Sequence, residues 1–314
     1  MTHSRSTFLA TSGALALAAS APVRAQTSRV PLRVGMGPSD AYAEAWYAAD
    51  AGFFQKAGLN VDVQGFNSGA VSTAAIVAGT LDISGTSTLP IVNAVARGIP
   101  LVIIAAAAVN TAKSPQAVMV VRKDGSVRAP KDLIGKTVGL NVLRTASELA
   151  LDAWLVKNGV DAARVKVVEV LASEMGLALE RGRIDAFIAG EPALSAALQG
   201  NRVYIFADPM SAIAPRYLYA AWCTSQSFAQ RNPDLVKRFA SAIYDTARWA
   251  NRHHAETAPI LAKYTKLDIA DVGTMMRAEF ADQLRGAELQ PLLDSALKFG
   301  YLPRPVTLSE LLLS

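Results

Sequence analysis

Thr145-Ala146-Ser147-Glu148 has the spacing of a capping box, and Arg144 stands immediately before it. In a capping box a hydroxyl and a carboxylate satisfy backbone N–H groups at a helix start, so the helix begins sharply. A helix start beside a guanidinium makes an anion site, in which each hydrogen bond to a charged group contributes about 1.5–3 kcal/mol. The alternative is a cap without a ligand and a solvated Arg144. Ser68-Gly69-Ala70 and Ser87-Thr88 are two further helix starts, each after a strand-like run. They are caps first and ligand contacts second. Glu191-Pro192 opens a fourth helix, with Glu191 set to accept from an amine or hydroxyl. Tyr42 is placed to stack on a ligand after the first strand, whereas Trp46 reads as core.

Catalytic patterns are missing. There is no G-x-S-x-G elbow, G-x-x-x-x-G-K-S/T loop or H-E-x-x-H pair. Gly35-Met36-Gly37 runs on to Asp40 where a dinucleotide fingerprint needs a third glycine. His253 and His254 are adjacent, and neighbours on a helix point about 100° apart, which is a poor chelate. They read as a solvated pair. Glu169, Glu174 and Glu191 show no acid–base spacing. The sequence therefore predicts no catalytic residue, no metal and no cofactor. Lys and Arg are scattered and the net charge is only +5, which argues against nucleic acid.

The elements that hold the helix starts alternate between strand and helix. Residues 32–36, 59–66 and 81–84 read as strands, with helices over 40–51, from Ser68-Gly69-Ala70 to 79, and from Ser87-Thr88 to the break Gly98-Ile99-Pro100. Residues 101–109 form one continuous apolar strand, and 110–115 is a crossing to a second lobe. There the strands are 117–122, 137–140, 165–170, 184–189 and 203–206, with helices over 130–133, 145–158, 173–181 and 192–198. Residues 208–216 return, 217–224 is a strand back in the first lobe, and everything from Gln226 reads helical. Two stripes in that tail, Leu235-Phe239-Ala242-Ile243 and Leu289-Leu292-Leu293-Ala296-Leu297, read as core. Strands ending in helix starts aim several N–H groups at one crevice, beyond the carboxyl ends of the strands, where open α/β sheets bind small ligands.

The N-terminus has the order of a secretory signal: Arg5, an apolar stretch over 8–19, then Pro22-Val23-Arg24-Ala25. Cleavage after Ala25 would leave Gln26 first. An uncleaved anchor is the alternative, although the apolar core is short for a bilayer. Ser4-Arg5-Ser6-Thr7-Phe8-Leu9 resembles a twin-arginine signal with Ser6 in place of one arginine. Cys223, in the apolar run 217–224, is the sole cysteine, so no internal disulfide forms and no lipid attaches near the cut. It reads as a buried thiol. Export without lipidation suits a periplasm.

Four segments then carry a family likeness. WYAADAGFFQKAGLNVDV, VAGTLDISGTST, PKDLIGKTVGLN and LERGRIDAFIAGEPAL, in that order over residues 32–198, resemble the periplasmic binding proteins of ABC importers of the nitrate, sulfonate, taurine and thiamine-precursor group. The resemblance implies an α/β, two-lobed, type II binding-protein fold with a helical C-terminal segment. It divides the chain into a signal at 1–25, the first lobe at 26–110 and 209–314, and the second lobe at 111–208. It implies a monomer that clamps a small-molecule ligand and delivers it to a permease and ATPase in the inner membrane. The contacts it implies fall at Ser68-Gly69-Ala70, Ser87-Thr88, Thr111, Arg144-Thr145 and Glu191. Asp82 and Asp185 match the family's recurring acid and read as structural. The helix starts and Arg144 favour a sulfonate-, nitrate- or carboxylate-like anion, and a pyrimidine or aromatic acid fits almost as well. A thiamine-pyrimidine synthase shares the fold, but its active-site histidine has no counterpart in these lobes. A ligand-sensing partner of a membrane receptor shares fold and compartment.

Overall fold

Two five-stranded sheets are built to the same plan. The computed structural model describes residues 31–66 and 69–313, so the leader at 1–25 and Ser68 lie outside the described residues. The strands are β1 Leu32–Met36, β2 Val61–Gly65, β3 Ile83–Ser87, β4 Leu101–Ala106, β5 Ala108–Thr111, β6 Val118–Arg122, β7 Thr137–Leu140, β8 Lys166–Glu169, β9 Ala186–Ala189, β10 Val203–Ala207, β11 Arg216–Leu218, β12 Ala220–Ser225 and β13 Glu279–Phe280. The first sheet has the order β2-β1-β3-β12-β4 and the second β8-β7-β9-β6-β10. In the first, β1 runs parallel to β2 and β3 while β12 is reversed. In the second, β7 runs parallel to β8 and β9 while β6 is reversed. The reversed strand in each sheet is the first one after a crossing. The fold is α/β and two-lobed, as the sequence predicts.

One acid pins each sheet in the same way. Asp82, just before β3, takes the Arg33 N–H at 2.8 Å and gives its own N–H to the Arg33 carbonyl at 3.0 Å. Asp185, just before β9, takes the Thr137 N–H at 3.0 Å and gives its own to the Thr137 carbonyl at 2.8 Å. Both are structural, as expected.

Two expected strands are each broken in two. Residues 101–109 divide at Ala107 into β4 and β5, and 217–224 divides at Tyr219 into β11 and β12. The bends are coupled: Ala107 N–H donates to the Ala220 carbonyl and Tyr219 N–H to the Ala108 carbonyl, both at 3.0 Å. Both segments thus leave the first sheet and pair with each other, and β13 joins to make the small sheet β11-β5-β13. Apolar periodicity hides the bend because residues 101–109 are buried throughout. The tail is not wholly helical, since β13 lies within it. Its short length gives no sequence signal.

The expected helix over 40–51 is a 3-10 turn, Asp40–Tyr42, followed by a helix Glu44–Asp50. The Ser39 hydroxyl caps that turn by accepting from the Ala41 N–H at 3.2 Å. The long helix Pro233–Ala250 covers the first sheet, with Phe239 against Phe54 and Trp222 at ring separations of 5.8 and 5.5 Å. Its Phe239, Ala242 and Ile243 are buried as the stripe predicts, while in the helix Gly286–Lys298 Leu297 faces outward. Trp46 is buried and stacks on Tyr264 at 5.1 Å. Burial pushes the Cys223 thiol up to about 12. His253 is half-buried against Trp249, at a ring separation of 5.6 Å, so only His254 is the solvated residue expected of the pair.

Candidate functional site

The crevice predicted beyond the strand ends is a cavity of about 1030 Å³. Its lining comes from the corresponding turns of both sheets. After β1 it is Gly37–Tyr42; after β2, Gly69; after β3, Ser87 and Pro90. After β7 it is Asn141, Val142, Thr145 and Ser147; after β8, Ala172, Ser173 and Met175 to Leu177; after β9, Gly190 to Ala193. Ser114 to Ala117, at the first crossing, and Tyr219, at the second bend, close one side.

Tight backbone approaches shape this cavity. A Cβ on Gly69 would lie 1.7 Å from Thr86 Oγ1, so only glycine lets the helix Gly69–Val77 start against β3. A Cβ on Gly190 would lie 2.2 Å from the Gln116 carbonyl, where the second sheet meets the crossing.

Of the residues expected to touch a ligand, Tyr42, Gly69, Ser87, Thr145 and Glu191 line the cavity. Burial holds the Tyr42 phenol above its usual range, and the nearby Tyr219 adds to this. Ala70 lies in the first turn of the helix Gly69–Val77. Thr88 does not line the cavity: it is buried, its N–H donates to the Tyr219 carbonyl at 2.8 Å, and its hydroxyl has no partner among the described residues. Thr111 sits in β5 and donates to Glu279 Oε2 at 3.1 Å, away from the lining.

Arg144 is not brought to the cavity. Its backbone is left-handed, at φ 60°. Its guanidinium lies over the Tyr301 ring at 4.2 Å and donates to the Gly300 carbonyl at 2.7 Å. Nor does the capping box form in the predicted way. The Glu148 carboxylate accepts from the Arg144 N–H, and the Thr145 hydroxyl donates to the Val142 carbonyl at 3.2 Å. The left-handed turn shifts the carboxylate's donor back by one residue.

Glu191 anchors a junction as well as lining the cavity. It accepts from the Ser195 N–H at 3.0 Å, the Ser195 hydroxyl at 2.9 Å and the Met276 N–H at 3.2 Å. Asp40 is buried and meets Arg277 at 3.2 Å, the Ala278 N–H at 2.7 Å and the Tyr47 hydroxyl at 3.0 Å. Sequence reading misses Asn141, Gln116, Met175 and Tyr219. Gln116 stands beside a predicted crossing, which is a usable signal; Tyr219 sits inside an apolar run and gives none. Among the described residues, no three His, Cys, Asp or Glu side chains gather as a metal site.

The pattern of the family described as NMT1/THI5 like matches residues 41–257, more than half of the chain. The chain belongs to the NMT1/THI5-like family. It is 27% identical over 246 residues to the taurine-binding periplasmic protein of Escherichia coli, covering 77% of this chain and 71% of that protein. Among solved structures, the periplasmic aliphatic sulphonate binding protein SsuA of Escherichia coli superposes with a TM-score of 0.77 at 18% identity, covering 91% of this chain and 98% of that one. The desulfurization enzyme DSZB shares the fold, with a TM-score of 0.65 at 17% identity over 88% of this chain and 95% of that one. This member of the NMT1/THI5-like family thus has the two-lobed frame of periplasmic binding proteins, and its cavity lies at the strand ends of both sheets.

Proposed function

We propose that the protein is the solute-binding component of an ABC-type importer, holding a small organic solute in the cavity between its two sheets and delivering it to a membrane permease. The observation that carries this reading is the lining itself: matching turns of two equivalent sheets face one cavity, so a single ligand touches both and stabilises their approach. In this reading residues 1–25 are a leader removed after Ala25, and the mature chain is periplasmic, unlipidated and monomeric. Residues 26–110 and 209–314 form one lobe, residues 111–208 form the other, and the permease works with an ATPase. Ser87, Thr145, Glu191 and Tyr42 are ligand contacts, joined by Asn141 and Gln116. In this reading the protein binds its solute without chemistry, as the taurine- and sulphonate-binding proteins it resembles are named for binding.

The test is a thermal-shift screen of small sulfonates, carboxylates, amines and heterocycles, followed by X-ray scattering and mass spectrometry of the best binder. A smaller radius with ligand, and ligand recovered unchanged, are expected. A chemically altered ligand would overturn the reading.

A further inference from the structure

Every charged side chain that lines the cavity is acidic. Asp40, Glu180 and Glu191 face it, and among the described residues no Lys, Arg or His does. Five cations adjoin lining residues in sequence, and none is part of the lining; Lys113, beside Ser114, and Arg181, beside Glu180, are exposed. Arg144, beside Thr145, lies on Tyr301 and Gly300. Arg277, between Met276 and Ala278, is held by Asp40, by the Tyr47 hydroxyl at 2.6 Å and by the Thr257 hydroxyl at 3.3 Å. Lys266, between Thr265 and Leu267, is exposed at the end of its helix.

The three acids are not equivalent. Asp40 has Arg277, and Glu180 has Arg202 at 3.4 Å. Glu191 has no ion-pair partner among the described residues; its recorded donors are two backbone N–H groups and one hydroxyl. A carboxylate without a counter-charge at a cavity wall repels a second anion and attracts an N–H donor. The wall of the second sheet adds aliphatic surface: Val142 and Leu177 are 44% and 45% exposed, and Met175 and Ala193 belong to the same lining. Apolar surface open to this degree inside a cleft calls for an apolar ligand body.

We propose that the solute is an organic molecule with an N–H-donating amine or amide end, no free anionic group, and an aliphatic or aromatic body. The donating end faces Glu191 and the body lies on the Val142–Leu177 wall. This rests on the importer reading and names its substrate class.

The test is calorimetry of the mature chain against two matched sets: benzylamine, benzamide, benzoate and benzenesulfonate, then hexylamine, hexanamide, hexanoate and hexanesulfonate. The amine or the amide should bind at least tenfold more tightly than the anions of its set. Glu191→Gln should weaken amine binding about tenfold more than amide binding. Should that variant not fold, Ala196→Lys, at an exposed lining position, brings a cation instead and should turn the ranking towards the anions. An anion as tightest binder, or a ranking unmoved by these substitutions, overturns the proposal and leaves the importer reading standing. No response from all eight compounds overturns it as well. A bound solute recovered chemically changed instead overturns the importer reading.

Discussion

The two halves correspond strand for strand, β2 with β8, β1 with β7, β3 with β9, β12 with β6 and β4 with β10, yet they place charge in opposite ways. The first half buries it. Asp40 and Arg277 pair beneath the cavity, and Glu44 is wholly buried beside the Trp222 indole N–H. The second half keeps ions near the surface, as with Glu180 and Arg202, and gives the cavity Val142, Met175 and Leu177. The helix that follows β7 buries Leu149, Ala150 and Leu151 over the region where the helix after β1 buries Glu44. One topology therefore supports two different walls. Backbone register sets where the turns go, and side-chain choice sets what they offer a ligand.

The sharpest contrast is between the two lining acids that have ion-pair partners, Asp40 and Glu180. Asp40→Ala leaves Arg277 buried without its partner and should cost about 3–5 kcal/mol in denaturant unfolding. Glu180→Ala removes an exposed partner and should cost about 0–1 kcal/mol. Equal losses would erase the distinction between the halves.

Asp82 and Asp185 should behave alike, because each accepts a backbone N–H from the corresponding strand of its sheet, β1 or β7. Alanine at either position should cost about 1.5–3 kcal/mol, the range for hydrogen bonds to charged groups. A loss at only one position would show that the two sheets are pinned differently.

Glycine separates the halves again. Gly69 and Gly176 follow corresponding strands, but a Cβ on Gly69 meets Thr86 whereas one on Gly176 lies 3.4 Å from Ala197, in ordinary contact. Gly69→Ala should cost about 1–3 kcal/mol from overpacking. Gly176→Ala, inside the helix Met175–Glu180, should gain about 0.5–1 kcal/mol. Thermal unfolding of the pair decides.

The smallest expected effect is a pH slope. Burial, then the nearby Asp40, hold the Glu44 carboxyl well above its ordinary value of 4.5. The folded protein keeps a proton there that the unfolded chain releases, so this group's contribution to stability is full below about 4.5 and is lost as pH rises towards the shifted value. Glu44→Gln should flatten the fall in Tm above that point. A parallel pair of Tm–pH curves would mean that Glu44 titrates normally.

Much of this was legible in the sequence, and the residues show why. Alternation and helix starts report local physics, so the strands, the two crossings and the turns carrying Ser87, Thr145 and Glu191 could be read directly. Asp82 and Asp185 could be read as structural because each precedes a short apolar strand. The bends at Ala107 and Tyr219 could not, since both sides of each bend are buried and no polar residue marks them. Arg144 misleads because its partner, Gly300, lies 156 residues away and no periodicity records that contact. The acidic bias of the cavity is likewise a property of assembled turns.

The small sheet β11-β5-β13 has a mechanical meaning. Two bodies joined by two separate tethers are free to twist, slide and swing. Here the tethers are zipped along Arg216–Leu218 and Val109–Thr111, with β13 on the far side of β5, and Arg216 meets Glu279 of β13 at 2.5 Å and Glu288 of the helix Gly286–Lys298 at 2.7 Å. The two tethers are therefore one hydrogen-bonded ribbon, in which neither segment can slide along the other without breaking the pairing of both.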